Sequence, residues 1–190
     1  MEINPTWYTN VHVLGESVIT EYIDFNTKEI QITETVTGDT RVFEDLRLPR
    51  LGHVDTDVYV KNVLTKSIRV LHGTNILGTT EYSLFTGKVL SEKTEDIKTG
   101  KFISEVTYLY HKGFLTEKSS KDSRGLRSGV TEYFDAKGNL IKKTEFKDGV
   151  PHGFNVDYRD EGFPVSSCRN NNLGEPEEIR RFSKTGLESK

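Results

Sequence analysis

A glycine recurs through the second half of this chain at a nearly constant interval. Gly87, Gly113, Gly138, Gly162 and Gly186 follow one another by 24 to 26 residues. An aromatic residue keeps step just ahead of it, as Phe85, Tyr110, Phe134, Tyr158 and Phe182. Recurrence at this period marks a row of small structural units, each too small to bury a face alone. Inside a unit, about eight strand-forming residues end at the aromatic, a turn carries the glycine, and a second strand leads to a looser turn. Asp135-Ala136-Lys137-Gly138 and Lys147-Asp148-Gly149 have the chemistry of those turns. Weaker copies start at Phe25 (FNTKEIQITETVTG) and Leu64 (LTKSIRVLHG), and the spacing breaks around RLPRLGHVD, residues 47–55.

Composition agrees with strands. Hydrophobic residues make up 34% of the 190 residues and aromatics 10%; mean hydropathy is −0.56. Aromatics at this level argue against disorder. The low apolar content suits a sheet with one dry and one wet face better than a compact α/β enzyme. Residues 1–100 carry 10 basic and 15 acidic side chains and residues 101–190 carry 16 and 14, a mixed field rather than a nucleic-acid footprint. The one cysteine, Cys168, rules out an intramolecular disulfide and fits a reducing cytoplasm. The N-terminal residues lack a signal-peptide pattern, and no apolar run approaches membrane-spanning length.

The best unit reads aromatic-x-x-x-Gly-x-hydrophobic and then Lys-Asp-Gly-x-x-His-Gly, through Phe134, Gly138, Leu140, Phe146, Gly149, His152 and Gly153. This pattern resembles the MORN-repeat variant of bacterial proteins, including antitoxins of the YwqK kind. The resemblance covers residues 85–186. The unit after it keeps Tyr158 and Gly162 but has NNNLGEPEE where the second glycine pair belongs. The resemblance implies a meandering, twisted or rolled sheet that works by binding.

Enzyme-like constellations have plainer readings. His53, Asp55 and Asp57 alternate, so a strand would set one imidazole and two carboxylates on one face, a set that suits a divalent cation. The reading adopted is a wet strand face backed by Val54, Thr56 and Val58, because no second cluster completes a coordination shell. No metal and no cofactor is therefore assigned. Cys168 aligns with Thr144, a strand position, and is read as a packed thiol. Lys112, Lys118, Lys121, Arg124, Arg127, Lys137, Lys142, Lys143 and Lys147 alternate with acidic residues, which makes a solvated face a better reading than a single-strand platform. In the tail, Glu177, Glu178, Arg180 and Arg181 are read as part of the strand that ends at Phe182.

The expected fold is all-β, with antiparallel hairpins at the 24–26-residue period. Residues 1–60 form a divergent N-terminal β cap or repeat, and 61–190 the MORN-like repeats, in one continuous domain. The expected function is a non-catalytic protein-binding module, antitoxin-like or immunity-like, that masks another protein in the cytoplasm. The alternatives are a structural subunit of a larger, for example viral, assembly, or a single-stranded nucleic-acid binder. Tyr133, Lys142, Lys143 and Arg159 are the candidate contact residues, and Tyr110, Phe134, Tyr158 and Phe182 a core or stacking ladder. The final strand near Phe182 is read as an open edge through which the chain could self-associate.

Overall fold

The computed structural model describes residues 6–50, 53–71, 74–159, 162–183 and 188–189. Its regular elements are sixteen strands, with no helix among the described residues. Among the described residues no helix is long and apolar enough to cross a membrane. The chain divides into two compact units, residues 1–89 with 94–101, and residues 90–93 with 102–190. Each is an antiparallel meander whose hydrogen-bonded neighbours follow sequence order.

The first unit holds β1 (Trp7–Leu14), β2 (Ser17–Asp24), β3 (Ile30–Thr37), β4 (Thr40–Arg50), β5 (His53–Val60), β6 (Val63–Val70) and β7 (Ile76–Tyr82). Strand β8 (Val89–Asp96) contributes to both units. The second unit holds β9 (Phe102–His111), β10 (Phe114–Lys121), β11 (Gly129–Phe134), β12 (Leu140–Lys147), β13 (Val150–Tyr158), β14 (Pro164–Asn170), β15 (Pro176–Phe182) and β16 (Glu188–Ser189).

The repeat has a physical meaning in this register. The aromatic before the turn sits beside a β-bulge and pairs with an apolar residue on the next strand. The pairs are Tyr59 with Leu64, Tyr110 with Leu115, Phe134 with Leu140, and Tyr158 with Pro164. Aromatic–aliphatic pairs of this kind stabilise a hairpin where its ladder is locally broken. The skipped residue recurs as Thr65 and Thr116, whose hydroxyls donate to the carbonyls of Val58 and Leu109, each at 3.1 Å. The turn that follows takes positive φ at Gly87, Gly113, Gly138 and Gly162, and also at Gly15, Gly38 and Asn62. The series therefore continues through the first 62 residues at intervals of 23 to 26. Positive φ is costly for most side chains, which is why the spacing of glycine betrays the turns. Gly186 lies outside the described residues.

Two alignments made on sequence alone change accordingly. Phe25 lies in the turn from β2 to β3, half a period away from the turn that holds Phe85. Leu64 matches Leu140 rather than Phe134, since it is the apolar partner across the bulge. Phe85, a repeat-marking aromatic, projects from the β7–β8 turn at 95% exposure. The strand of Phe182 is not the last, because Phe182 pairs with Glu188 of β16.

Acidic caps close several turns. Asp24 Oδ1 accepts the N–H groups of Asn26 and Thr27 at 2.8 and 2.9 Å. Asp135 Oδ1 accepts those of Lys137 and Asn139 at 2.8 and 2.9 Å, and Asp96 Oδ1 that of Thr99 at 2.8 Å. Hydrogen bonds to an ionised carboxylate hold its pKa below the ordinary value. Asp24 is lowered chiefly by the Thr27 N–H, Asp96 by the Thr99 hydroxyl, and Asp135 by the Asn139 amide. Groups lowered by folding stabilise it above the unfolded carboxylate pKa of about 4, and that contribution disappears as pH falls through and below this value. Asn171 makes the same cap without a charge, accepting the N–H groups of Leu173 and Glu175 at 2.8 and 3.0 Å. Replacing Asp24, Asp96 and Asp135 together by Asn is thus expected to keep the turns and flatten the fall in melting temperature between pH 5 and about pH 3. An unchanged acid slope, measured by circular dichroism melts, would count against the caps as its source.

The cores of the two units differ in chemistry. Ile23 and Ile32 are the buried apolar side chains of the first. In the second, the buried side chains are polar: Ser119, Thr131, Thr144, Asn155 and Asn170. Thr131, Thr144, Asn155 and Cys168 occupy successive rungs of β11 to β14 on one face. Arg127 spans the start of this row, donating to Glu117 Oε1 at 2.6 Å and to the Tyr133 hydroxyl at 3.1 Å. Its guanidinium also lies 5.4 Å from the Phe146 ring centre. Long side chains thereby roof short ones, so a sheet poor in aliphatic residues still excludes water.

Candidate functional site

The first unit carries a concave hollow of about 420 Å³, lined by Tyr22, Ile32, Glu34, Arg41, Phe43, Tyr59 and Asn62. Strand register puts these residues together. Tyr22 is opposite Ile32, Glu34 opposite Phe43, and Arg41 opposite Tyr59, so alternate positions of β2 to β5 share one face. Ile32 forms the floor at 1% exposure. Phe43 and Tyr59 meet edge to face, with ring centres 5.7 Å apart at 85°. Asn62 closes one end from the β5–β6 turn, at φ 64°.

A polar group crosses the apolar floor. Glu34 accepts the Tyr22 hydroxyl at 2.9 Å on Oε2 and the Arg41 Nε at 2.8 Å on Oε1. Burial, reinforced by the Glu34 carboxylate, raises the Tyr22 pKa, so the phenol remains a hydrogen-bond donor. Arg41 also lies 5.8 Å from the Phe43 ring centre. Nε holds Glu34 while the Arg41 side chain stays 45% exposed. The volume falls in the range of natural ligand and side-chain pockets. The chemistry supports recognition: apolar walls, one anchored carboxylate, and one oriented guanidinium.

The residues singled out from sequence do not line the hollow, although Asp57 stands opposite Phe43 on the same sheet face. His53, Asp55 and Asp57 do share a strand face, but Arg69 serves the carboxylates, with Nη2 2.7 Å from Asp57 Oδ1 and Nε 3.5 Å from Asp55 Oδ2. The guanidinium also donates to the carbonyls of Thr56 and Ile68. No group of three or more metal-ligating side chains occurs among the described residues.

The four candidate contact residues do not form one surface. Tyr133 and Lys142 face each other across β11 and β12. Lys143 points to the opposite face, where Glu132 binds its ammonium at 2.9 Å and raises its pKa. Arg159 reaches back to the Phe182 carbonyl at 3.4 Å. Adjacent residues of a strand alternate in direction, and that rule separates Lys142 from Lys143. The basic set is likewise dispersed, with Lys121 on Glu105, Arg124 on Asp122 and Arg127 on Glu117. Cys168 is a half-buried free thiol on its strand.

None of the hollow's residues stood out in sequence. The usable signal was an alternation of polar with aromatic or aliphatic residues in EYID, QITE, RVFE and VYV, but only cross-strand register shows that these stripes coincide.

No family model matches this chain, and no curated protein matches it. Among solved structures, the chain is similar to a mutant of S. aureus TarM in complex with Fondaparinux, alpha-GlcNAc-glycerol and UDP. Identity is 9% and the TM-score 0.28, over 65% of this chain and 21% of that one. A second TarM crystal structure matches at 11% identity and a TM-score of 0.30, over 64% and 22%. The chain spans about a fifth of those proteins, and likeness at this level carries no argument about function.

Proposed function

We propose that this chain is a non-catalytic protein-binding module, an inhibitor that masks a partner protein in the way the MORN-variant resemblance implies. The hollow on the first unit carries the reading. Its aromatic walls and half-exposed guanidinium suit an anchor side chain of the partner, in the apolar pocket, with an acidic or carbonyl group on Arg41. Trp, Tyr and Arg are the residues enriched at the hot spots of such contacts. The shifted carboxylates fit a binding role as well: Asp24, Asp96 and Asp135 are occupied in capping turns. With a single cysteine, the chain suits a reducing cytoplasm.

The test is a capture experiment from host lysate, split into nuclease-treated and untreated halves, with wild type and Arg41→Ala as baits. Arg41 is an exposed strand residue whose removal leaves the Tyr22–Glu34 bond intact, so the variant folds. The expected result is one dominant protein retained after nuclease by wild type, with affinity for Arg41→Ala lower by about 10- to 30-fold. Equal capture by both baits would remove the hollow from the binding site. Loss of every partner after nuclease would favour the nucleic-acid reading.

A further inference from the structure

Strand β1 stands apart from the rest of the sheet. Among the sixteen described strands it alone contains no Asp, Glu, Lys or Arg. Its sequence is WYTNVHVL, and β2 is its one hydrogen-bonded neighbour among the described residues. Edge strands are where charge matters most, since charge blocks pairing with another chain. The strands at the other end follow that rule: β15 reads PEEIRRF and β16 contains Glu188. On β1, by contrast, Val11, Val13 and Leu14 are 57%, 75% and 71% exposed.

The free main-chain groups of β1 can be assigned. Leu14 and Ser17 flank the two-residue turn Gly15–Glu16 and therefore bond to each other. Even-numbered residues of β1 thus point their N–H and C=O groups at β2, as the Thr6 carbonyl, 3.0 Å from Phe25 N, also shows. Trp7, Thr9, Val11 and Val13 point theirs outward.

We propose that β1 pairs antiparallel with β1 of a second copy of this chain, about a two-fold axis at Asn10. The observed parity requires odd-numbered residues to oppose one another, and an axis at Asn10 does so over the greatest length, Trp7 to Val13. Turning β1 about Asn10 sets Trp7 opposite Val13 of the second copy and Thr9 opposite Val11, and each such pair is a hydrogen-bonded one. Trp7–Val13 is an aromatic–β-branched pair of the favoured kind. On the other face Tyr8 meets His12, and Asn10 meets itself. No like charges oppose each other on the strand, because it has no formally charged side chain besides what His12 gains on protonation. The contact is isologous, so it closes at a dimer.

Light scattering on the intact chain is the primary test. Wild type is expected at twice the 21.6 kDa chain mass at micromolar concentrations, and Val11→Lys at the monomer mass. Val11 is exposed and its N–H faces outward, so Val11→Pro provides a second variant that removes one intermolecular donor without touching the β1–β2 ladder. It too is expected to be monomeric, with a melting profile that, unlike that of wild type, does not depend on concentration.

A crosslink reads the register. In a Cys168→Ser background, Asn10→Cys puts two thiols at a non-hydrogen-bonded pair with Cα atoms about 4.5 Å apart, a spacing a disulfide spans. Mild oxidation is expected to yield covalent dimer from Asn10→Cys and none from Glu16→Cys in the turn. A wild type that is monomeric at every concentration overturns the proposal, as does a dimer that survives Val11→Lys. Both outcomes are independent of whether Arg41 matters for partner capture.

Discussion

Ile32→Ala is expected to destabilise the first unit by about 2–5 kcal/mol, the range for truncating a fully buried aliphatic side chain. Ile32 is the least exposed residue of that unit, at 1%. It lies opposite Tyr22 on one side and Asp45 on the other, beneath the hollow. A single-sheet unit has few other buried aliphatic groups, Ile23 being the second, so the lost contacts have little to replace them. Against a typical total of about 5–15 kcal/mol, the loss is a large share. Urea unfolding followed by Tyr fluorescence gives the midpoint shift. Ile32→Val is the control and is expected to cost about 0.5–1.5 kcal/mol. An alanine variant with a wild-type midpoint would mean that Ile32 is not part of a packed floor beneath the hollow.

The second large effect is expected at Thr131 in the other unit. Thr131 is 1% exposed and sits one rung from Phe146 and two residues from Tyr133, both of which the Arg127 guanidinium contacts. Thr131→Lys forces an ammonium into that closed space beside an existing cation. Burying a charge without a partner costs about 3–5 kcal/mol. Thr131→Val, which keeps the branched shape and removes only the hydroxyl, is expected to cost about 0.5–1.5 kcal/mol, the scale of one hydrogen bond. Hydrogen exchange of the β11 and β12 amides separates this local loss from changes in the first unit. If Thr131→Lys were tolerated, the buried row of Thr131, Thr144 and Asn155 would have to open easily to water, and the polar core would not be a core. The hydroxyl of Thr144, buried without a hydrogen-bond partner, already shows how much this row relies on shape rather than on satisfied polar bonds.

Much of the fold was legible because its determinants are local. Gly113, Gly138 and Gly162 mark turns that need positive φ, and Tyr110, Phe134 and Tyr158 mark the ends of the strands before them. Those residues act within a few positions of themselves, so spacing reveals them. The upstream copies were harder. Gly15 and Gly38 continue the series, but Asn62 replaces glycine in the next turn and Phe25 imitates the aromatic at the wrong end of a hairpin. Asn tolerates the left-handed region, which is why the turn survives where the motif does not.

The candidate site was much less legible. His53, Asp55 and Asp57 alternate along β5, yet the cation on the two carboxylates is Arg69 from the neighbouring strand, twelve residues beyond Asp57. Lys142 and Lys143 looked like one basic contact and point to opposite faces. Tyr22, Glu34, Arg41 and Tyr59 carry no shared motif at all.

The sequence by itself determined the strand content, the hairpin period and the turn positions, since each follows from the conformational preference of nearby residues and from their two-residue alternation. Tertiary structure alone decided which strand faces coincide, because face and partner depend on register across main-chain ladders. A bulge of one residue, such as the one at Thr65, shifts that register and moves every later side chain relative to its neighbours. The hollow of Tyr22, Glu34, Arg41, Phe43 and Tyr59, the Arg69 clasp and the outward parity of β1 are all products of that register.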